Sequence, residues 1–188
     1  MSNHIQEVCH ELTEVTHAAR VAFGPLSAEQ LNWKPSAESW SIAQCLDHLI
    51  TINRFYFPLL ESMSTDTPGP TFWERHSPLS GFLGKFLIKT LGPEYPKRTK
   101  TSPKAEPSAS AIDARILDTF ARHQGELIEH LRRIPSSIDL KGTIVTSPLL
   151  GWVTYRLEDC LTMLAVHEKR HLLQARRVME AAGFPKAV

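Results

Sequence analysis

Hydrophobic residues recur at three- and four-residue steps along four long stretches of the chain, and each stretch predicts an amphipathic helix. The first runs from about residue 3 to residue 23 and ends at Gly24-Pro25. The second begins at Ser41, and we expect Pro58 to kink it or to end it early. The third runs from about residue 109 to 134, and the fourth from about 155 to 182. No stretch has a convincing strand pattern, so the sequence predicts an all-α four-helix bundle.

The connections between these helices differ in length. The first, residues 24–40, is short and has a helical turn predicted near Ala28 to Leu31. The second, from residue 61 to about 110, is rich in proline and glycine, with one short helix predicted from Phe82 to Leu91. A connection this long is unusual in a compact domain unless it crosses between helices or carries function. The sequence therefore predicts a bundle with a long crossover between helices two and three.

Length and composition limit the class of protein. The chain has 188 residues, 42% hydrophobic and 22% charged, which predicts a single domain over residues 1–188 with a sizeable core. The net charge of +1 gives no argument for nucleic acid or a membrane surface as a partner. Three distant cysteines, Cys9, Cys45 and Cys160, do not form a disulfide framework. Without an apolar signal segment or a run of about 20 apolar residues, we expect a cytoplasmic protein.

The fourth predicted helix carries the sequence HEKRH from His167 to His171. Histidines four residues apart lie on the same helix face, and this spacing lets both imidazoles reach one metal ion. His48, at the inward edge of the second helix, is the candidate third ligand. Neutral imidazole suits zinc, nickel, copper or iron(II). Three protein ligands leave a coordination position open, which is typical of a catalytic metal site.

Simpler interpretations stand beside this one. A single histidine such as His48 at the edge of an apolar stripe is more often a hydrogen-bonded core or surface residue. His123, on the stripe of the third helix, could be a further contact, but no residue pairs with it at ligand spacing. Cys45 could ligate a metal, yet it fits a small buried hydrophobe better. Trp40 and Trp152 are expected to plug the ends of the bundle.

The same five residues match the H-E-x-x-H metalloprotease pattern, with Glu168 as the general base. The residues that follow argue against a protease, because Gln174 stands where the extended pattern needs glycine and Arg177 where it needs histidine. A protease also needs an edge strand to bind its substrate, and no strand is predicted. Glu168 is expected to flank the metal face, where it orients water or a neighbouring side chain, or pairs with a surface cation.

Two segments resemble signatures of the DinB-like (DinB/YfiT) superfamily. The first is ESWSIAQCLDHL, residues 38–49, in which Trp40 precedes a helix and His48 lies one to two turns inside it. The second comprises Gly151-Trp152 and the run from His167 to Gln174. The motifs occur in the expected order on helices of the expected length, and the resemblance spans nearly the whole chain.

The resemblance implies an up-down-down-up bundle whose long connection joins helices two and three. It implies a divalent metal ion, zinc or nickel, on His48, His167 and His171, and a homodimer. It further implies a metal-dependent enzyme on a small molecule, either a thiol transferase using a low-molecular-weight thiol or a hydrolase. The alternative is a non-enzymatic, stress-related binding module with a vestigial metal site. The basic stretch from Lys97 to Lys104 is expected either to meet an anionic substrate or to be a solvated loop.

Overall fold

A computed structural model describes residues 1–65, 71–95, 101, 103–108 and 111–186. The predicted mostly helical fold is confirmed, and the described residues contain these seven α-helices: α1 (Asn3–Phe23), α2 (Ala28–Asn32), α3 (Ile42–Thr65), α4 (Phe72–His76), α5 (Ser80–Leu91), α6 (Ile116–Arg132) and α7 (Leu157–Met179). They also contain a 3-10 helix (Pro103–Ala105) and two strands, β1 (Ile144–Thr146) and β2 (Thr154–Arg156). Among the described helices, none is both long and apolar enough to cross a membrane.

The four long helices, α1, α3, α6 and α7, pack around a common core. Helix α1 packs against α6 and α7, and α3 packs against the same two helices. Helix α5 lies outside this group and covers part of α7 and β2. The packing of α3 directly against α7 matters for function, because these two helices carry the three candidate histidines.

The core consists of two apolar clusters. One joins the first halves of α1 and α7 to the second halves of α3 and α6, with Leu12, Leu60, Leu127 and Leu161 at its centre. The other joins the remaining halves of the same four helices. Each of those leucines is at most 1% exposed, and full burial of such a side chain contributes about 1.5–3 kcal/mol. Polar side chains lie between the two clusters along α3, α6 and α7.

Helix α3 continues through Pro58 to Thr65, so of the two expected effects of this proline, a kink or an early end, the early end is wrong. Proline removes one backbone hydrogen bond from a helix interior, which weakens the helix locally. Leu60 and Met63, beyond the proline, are buried in the core. The burial of this last turn compensates for the bond that Pro58 cannot donate.

Helix α6 begins at Ile116, several residues later than predicted. Residues 109 and 110 lie outside the described residues. The backbone of Ile112 forms hydrogen bonds with the side chain of Asn32 instead of joining the helix. Its N–H donates to Asn32 Oδ1 and its carbonyl accepts from Asn32 Nδ2, both at 2.8 Å. Because these bonds tie Ile112 to the end of α2, the chain turns into the helix only after Asp113.

The prediction that no strand exists is wrong. Strands β1 and β2 pair antiparallel, with Val145 opposite Tyr155. Each strand has three residues, which is too short for an alternating pattern to appear in the sequence. Trp152, expected to plug the bundle, lies in the turn before β2 and is 77% exposed. Tyr155, expected in the fourth helix, lies in β2, and α7 follows directly at Leu157.

Candidate metal centre

The fold brings together the three histidines that the sequence singles out. His48 comes from α3, and His167 and His171 come from successive turns of α7. One ring nitrogen of each lies within 4.8 Å of the corresponding atoms of the other two. The side chains are only 2%, 7% and 7% exposed, respectively. The spatial convergence expected from the i, i+4 spacing and from His48 is therefore present, and ligation of a metal by the three residues stays a prediction.

His167 and His171 point their Nε2 atoms at each other, at a distance of 3.1 Å. Two imidazole nitrogens that share one tetrahedral zinc at about 2.0–2.1 Å must lie about 3.3 Å apart. The observed separation is close to that value. The spacing of the two nitrogens is therefore compatible with one shared ion, and in this structure it is a hydrogen-bond distance between the two imidazoles.

His48 is oriented by a hydrogen bond from the long connection. Its Nδ1 lies 2.6 Å from the carbonyl oxygen of Ala105. A carbonyl only accepts hydrogen bonds, so Nδ1 must carry the proton and Nε2 must carry the lone pair. A backbone carbonyl in this role is a common outer partner of metal-ligating histidines, because it fixes both the tautomer and the ring orientation.

The surroundings keep all three imidazoles neutral. Burial lowers the pKa of His48, and burial together with His48 and Arg170 lowers the pKa of His167 to about 3. Burial, then the neighbouring His167 and His48, hold the pKa of His171 well below its ordinary value. A histidine must be neutral to bind a metal, so at neutral pH no second proton has to leave these rings before a metal binds. The donor set of three neutral imidazoles fits a divalent transition metal.

Trp40 covers the histidines on one side. Its half-buried ring stacks on His171, with centroids 5.6 Å apart and planes inclined by 23°, and lies 4.8 Å from the ring of His48. Trp40 also lines an open cleft of about 430 Å³. The described residues that line this cleft with Trp40 include Lys34, Glu38, Gln44, Thr101, Glu106 and Ser108. Of the residues that contact the histidines through a ring, Trp40 therefore also borders this cleft, whereas His48, His167 and His171 are not among its described lining residues.

Glu168 neither pairs with a surface cation nor lies exposed beside the site. It is fully buried, and its Oε1 accepts hydrogen bonds from Asn53 Nδ2 on α3 and Gln124 Nε2 on α6, both at 2.7 Å. Burial raises the pKa of Glu168 to about 7, while these two hydrogen bonds lower it. The expectation that Glu168 orients neighbouring side chains is the one the structure supports. These contacts link α7 to α3 and α6 immediately beside His167.

The arrangement also argues against a metalloprotease. The general base of such an enzyme must reach the water at the metal, whereas Glu168 is fully buried and its Oε1 binds amides of two neighbouring helices. The β1–β2 hairpin offers an edge strand after all, but β2 ends at Arg156, eleven residues before His167 on the chain. At 1.5 Å per residue this is about 16 Å along α7. The hairpin therefore lies far from the histidines.

The remaining candidate residues lie elsewhere. His123 is not part of the histidine cluster and stacks on Phe57, with centroids 5.1 Å apart. Cys45 is fully buried and packs with apolar residues, as its simpler interpretation predicted. In the basic stretch, Lys97, Arg98 and Lys100 lie outside the described residues, whereas Lys104 is exposed.

Two features of the site were not anticipated. Asn53 and Gln124 lie on the buried stripes of their helices, four residues after Leu49 and Phe120, so a polar residue at a core position was the available signal. The contact between His48 and the Ala105 carbonyl had no such signal. It joins residues 57 positions apart through a backbone atom.

Comparison with known proteins places the chain in a family. Residues 11–175 match the model of the DinB superfamily, and the chain belongs to this superfamily. Bacillus subtilis (strain 168) has a relative, the uncharacterized protein YuaE, that is 28% identical over 157 residues, covering 82% of this chain and 86% of YuaE. The solved structure of YfiT from Bacillus subtilis, a probable metal-dependent hydrolase with an unusual four-helix bundle topology, shares the fold. The superposition covers 98% of this chain and 91% of the YfiT chain, with a TM-score of 0.60 and 14% sequence identity.

Proposed function

We propose that this protein is a metal-dependent enzyme that acts on a small molecule through a divalent ion held by His48, His167 and His171. The observation that carries the proposal is the convergence of three buried, neutral imidazoles, with one ring nitrogen of each within 4.8 Å of the others. Three protein ligands leave a further position for water or substrate. Zinc and nickel are the expected ions, because imidazole ligands suit both.

Different residues of the chain would hold the ion and limit access to it. A divalent ion, when bound, supplies Lewis acidity that makes a water molecule or a small thiol more acidic. His48, oriented by Ala105, and the pair on α7 would hold that ion. Trp40 would limit the access of solvent to it, and the adjoining cleft of about 430 Å³ has the size of a small-molecule site.

Hydrolysis is the first reaction to test. YfiT, which has this fold, is described as a probable metal-dependent hydrolase, and this supports a hydrolase. Transfer of a low-molecular-weight thiol, implied by the family resemblance, is the second reaction. Metal-loaded protein would be screened against small esters and amides, and against electrophiles with and without a small thiol. Turnover that needs no thiol supports a hydrolase, and turnover that needs a thiol supports a transferase.

Elemental analysis of the untagged protein tests the site itself. We expect about one zinc or nickel ion per chain in the wild-type protein and loss of that ion in His167→Ala. The matched control is His17→Ala, which removes an exposed histidine of α1 and should keep the metal. Absence of metal from the wild-type protein, even after reconstitution, would contradict the proposal. Equal metal content in His167→Ala and wild type would exclude His167 as a ligand.

A non-enzymatic binding module with a vestigial site is the second candidate. It is supported by the low exposure of the three histidines, by the stacking of Trp40 on His171 and by the tilted contact of Trp40 with His48. Cobalt-substituted protein distinguishes the two functions, because its absorption spectrum changes when an outside ligand reaches the ion. A spectral change on adding azide or a small thiol favours the enzyme. An unchanged spectrum in wild type that becomes responsive in Trp40→Ala favours the closed, vestigial site.

We also propose the up-down-down-up order of the long helices, with the connection from α3 to α6 as the crossover. The unusual bundle topology of YfiT supports this order. So does the sharing of one apolar cluster by the first halves of α1 and α7. Spin labels at the exposed positions Val21 and Arg177, near the ends of α1 and α7, should then be closer together than labels at Glu7 and Arg177. The reverse order of distances would exclude parallel α1 and α7.

A homodimer is a further proposal, and the outer face of α5 supports it. Phe82 and Phe86 stack on each other there and are 67% and 52% exposed. Exposed aromatic pairs are enriched at interfaces between proteins. Sedimentation velocity should give a dimer that Phe86→Ser dissociates. A monomer at all concentrations would contradict the proposal.

A further inference from the structure

Residues 103–108 form a strap that crosses the first half of α3. Three hydrogen bonds fasten it. The Ala105 carbonyl accepts from His48 Nδ1 at 2.6 Å, the Ser108 N–H donates to Asp47 Oδ2 at 2.6 Å, and the Ser108 carbonyl accepts from Gln44 Nε2 at 3.1 Å. The side chain of Ala105 is 1% exposed, so the strap is also anchored by burial.

The three partners on α3 belong to one helix face. Gln44, Asp47 and His48 are spaced i, i+3 and i+4, which places their side chains side by side. Gln44 is itself held in place, because its Oε1 accepts from the Ser41 N–H at 3.2 Å in the bonds that cap the start of α3. One of the three side chains that bind the strap is therefore also fixed by bonds within α3.

Of the three bonds, the one to His48 has a chemical consequence. A neutral imidazole can carry its proton on either nitrogen. The Ala105 carbonyl selects the form with the proton on Nδ1, which leaves Nε2 with the lone pair that a metal ligand needs. The other two bonds do not touch the histidines, but they determine where the Ala105 carbonyl is held.

We propose that Asp47 is a positioning residue of the metal centre. By binding the Ser108 N–H, it holds the strap so that the Ala105 carbonyl keeps His48 in the tautomer and orientation that a metal requires. The inference rests on the proposed function, since it assigns Asp47 a role in the same site. It also gives a role to the half-buried carboxylate next to His48.

Nitrogen-15 NMR of metal-free protein labelled at histidine tests the positioning directly. We expect His48 in wild type to be protonated on Nδ1 alone, and His48 in Asp47→Ala to show both tautomers. Asp47→Asn keeps an oxygen that can accept from Ser108 and should restore the wild-type signal. The matched control is Glu106→Ala, which removes an exposed carboxylate from the strap itself and should leave His48 unchanged.

Zinc affinity, measured by competition with a chelating dye, supplies the second readout. Loss of an outer partner typically weakens metal binding 10- to 100-fold, so we expect Asp47→Ala to weaken zinc binding by about that factor. Asp47→Asn and Glu106→Ala should bind zinc as wild type does. Circular dichroism and the thermal midpoint establish that each variant is folded. If Asp47→Ala does not fold, Gln44→Glu replaces it, since it keeps an oxygen for Ser41 and loses the donor to Ser108.

The two readouts separate the possible failures. If wild type binds zinc and the folded strap variant matches it in both affinity and tautomer, the role of Asp47 is overturned. If wild type binds no zinc or nickel, the proposed function is overturned. In that case a tautomer change in Asp47→Ala would still establish that the strap positions His48.

Discussion

Two consecutive residues of α7 belong to two different kinds of buried polar site. His167 belongs to a cluster of three neutral rings, each with one nitrogen within 4.8 Å of the corresponding atoms of the other two. Glu168 belongs to a layer in which one carboxylate oxygen accepts from Asn53 and Gln124. Both lie between the two apolar clusters of the core, and both are almost inaccessible to solvent.

The difference lies in what completes each site. The Glu168 layer is linked by hydrogen bonds between three helices and so contributes to holding the bundle together. In the histidine cluster, His167 and His171 direct nitrogens at each other. The orientation of His48 depends on its hydrogen bond to the Ala105 carbonyl, which lies outside the cluster. Burial of polar groups is costly unless they are paired. We therefore expect loss of the Glu168 layer to reduce stability and loss of the histidines to reduce metal binding.

Glu168→Ala should have the largest effect on folding. It leaves two buried amides without their acceptor and opens a cavity, at about 1–3 kcal/mol for each unpaired group, so we expect the free energy of unfolding to fall by about 4 kcal/mol. Urea denaturation of the metal-free protein measures it. Glu14→Ala, on the exposed face of α1, is the control and should change the free energy by less than about 0.5 kcal/mol. A change as small as the control's would contradict a structural role for the Glu168 layer.

His123→Phe should alter the pH dependence of stability. Burial, and then Arg54, lower the pKa of His123 to about 4 from its ordinary value near 6.5. Between these pH values the unfolded chain binds a proton that the folded chain does not, so stability falls as the pH drops. The loss from this group approaches about 3 kcal/mol at pH 4.

The phenyl ring can replace the imidazole in its stack on Phe57 and cannot titrate. We therefore expect the difference in stability between His123→Phe and wild type to grow in favour of the variant from pH 7 to pH 4. Thermal unfolding at each pH measures it in metal-free protein, where the site histidines contribute equally to both chains. Parallel curves would mean that His123 has an ordinary pKa.

Added zinc should stabilise only chains with an intact histidine cluster. At a free concentration one hundred times the dissociation constant, a ligand specific for the folded state raises the free energy of unfolding by about 2.7 kcal/mol. We expect this increase in wild type and in Glu14→Ala, and none in His171→Ala. Calorimetric unfolding with and without zinc measures it. An equal increase in His171→Ala would indicate that zinc binds elsewhere.

Substitutions of Trp40 and Trp152 should have the smallest effects on stability, and the two should differ in how fast the protein releases zinc. Trp152→Ser changes a side chain that is 77% exposed, so its stability should remain within about 0.5 kcal/mol of wild type. Trp40→Ser removes the ring that stacks on His171 and should increase the rate at which a chelator strips zinc from the protein. Stopped-flow mixing with EDTA compares them. Equal rates for both variants would mean that Trp40 does not shield the site.

The features that depend on local spacing could be predicted from the sequence. The helical periods of α1 and α7 predicted their extents closely, and the four-residue step from His167 to His171 predicted a shared face. Prediction failed where distant contacts decide the structure. The burial of Met63 extends α3 past Pro58, and Asn32 delays the start of α6 by binding Ile112. Three-residue strands carry too little pattern to be recognised.

The strap has a consequence for the order in which the centre forms during folding. His48 and Ala105 are 57 residues apart, and His48 and His167 are 119 residues apart, by subtraction of their numbers. Contacts between such distant residues require closure of long loops and arise late compared with local helix formation. The histidine cluster is thus expected to be among the last parts of the chain to form. A refolding chain should acquire the proposed affinity for metal only when residues 103–108 have returned to α3.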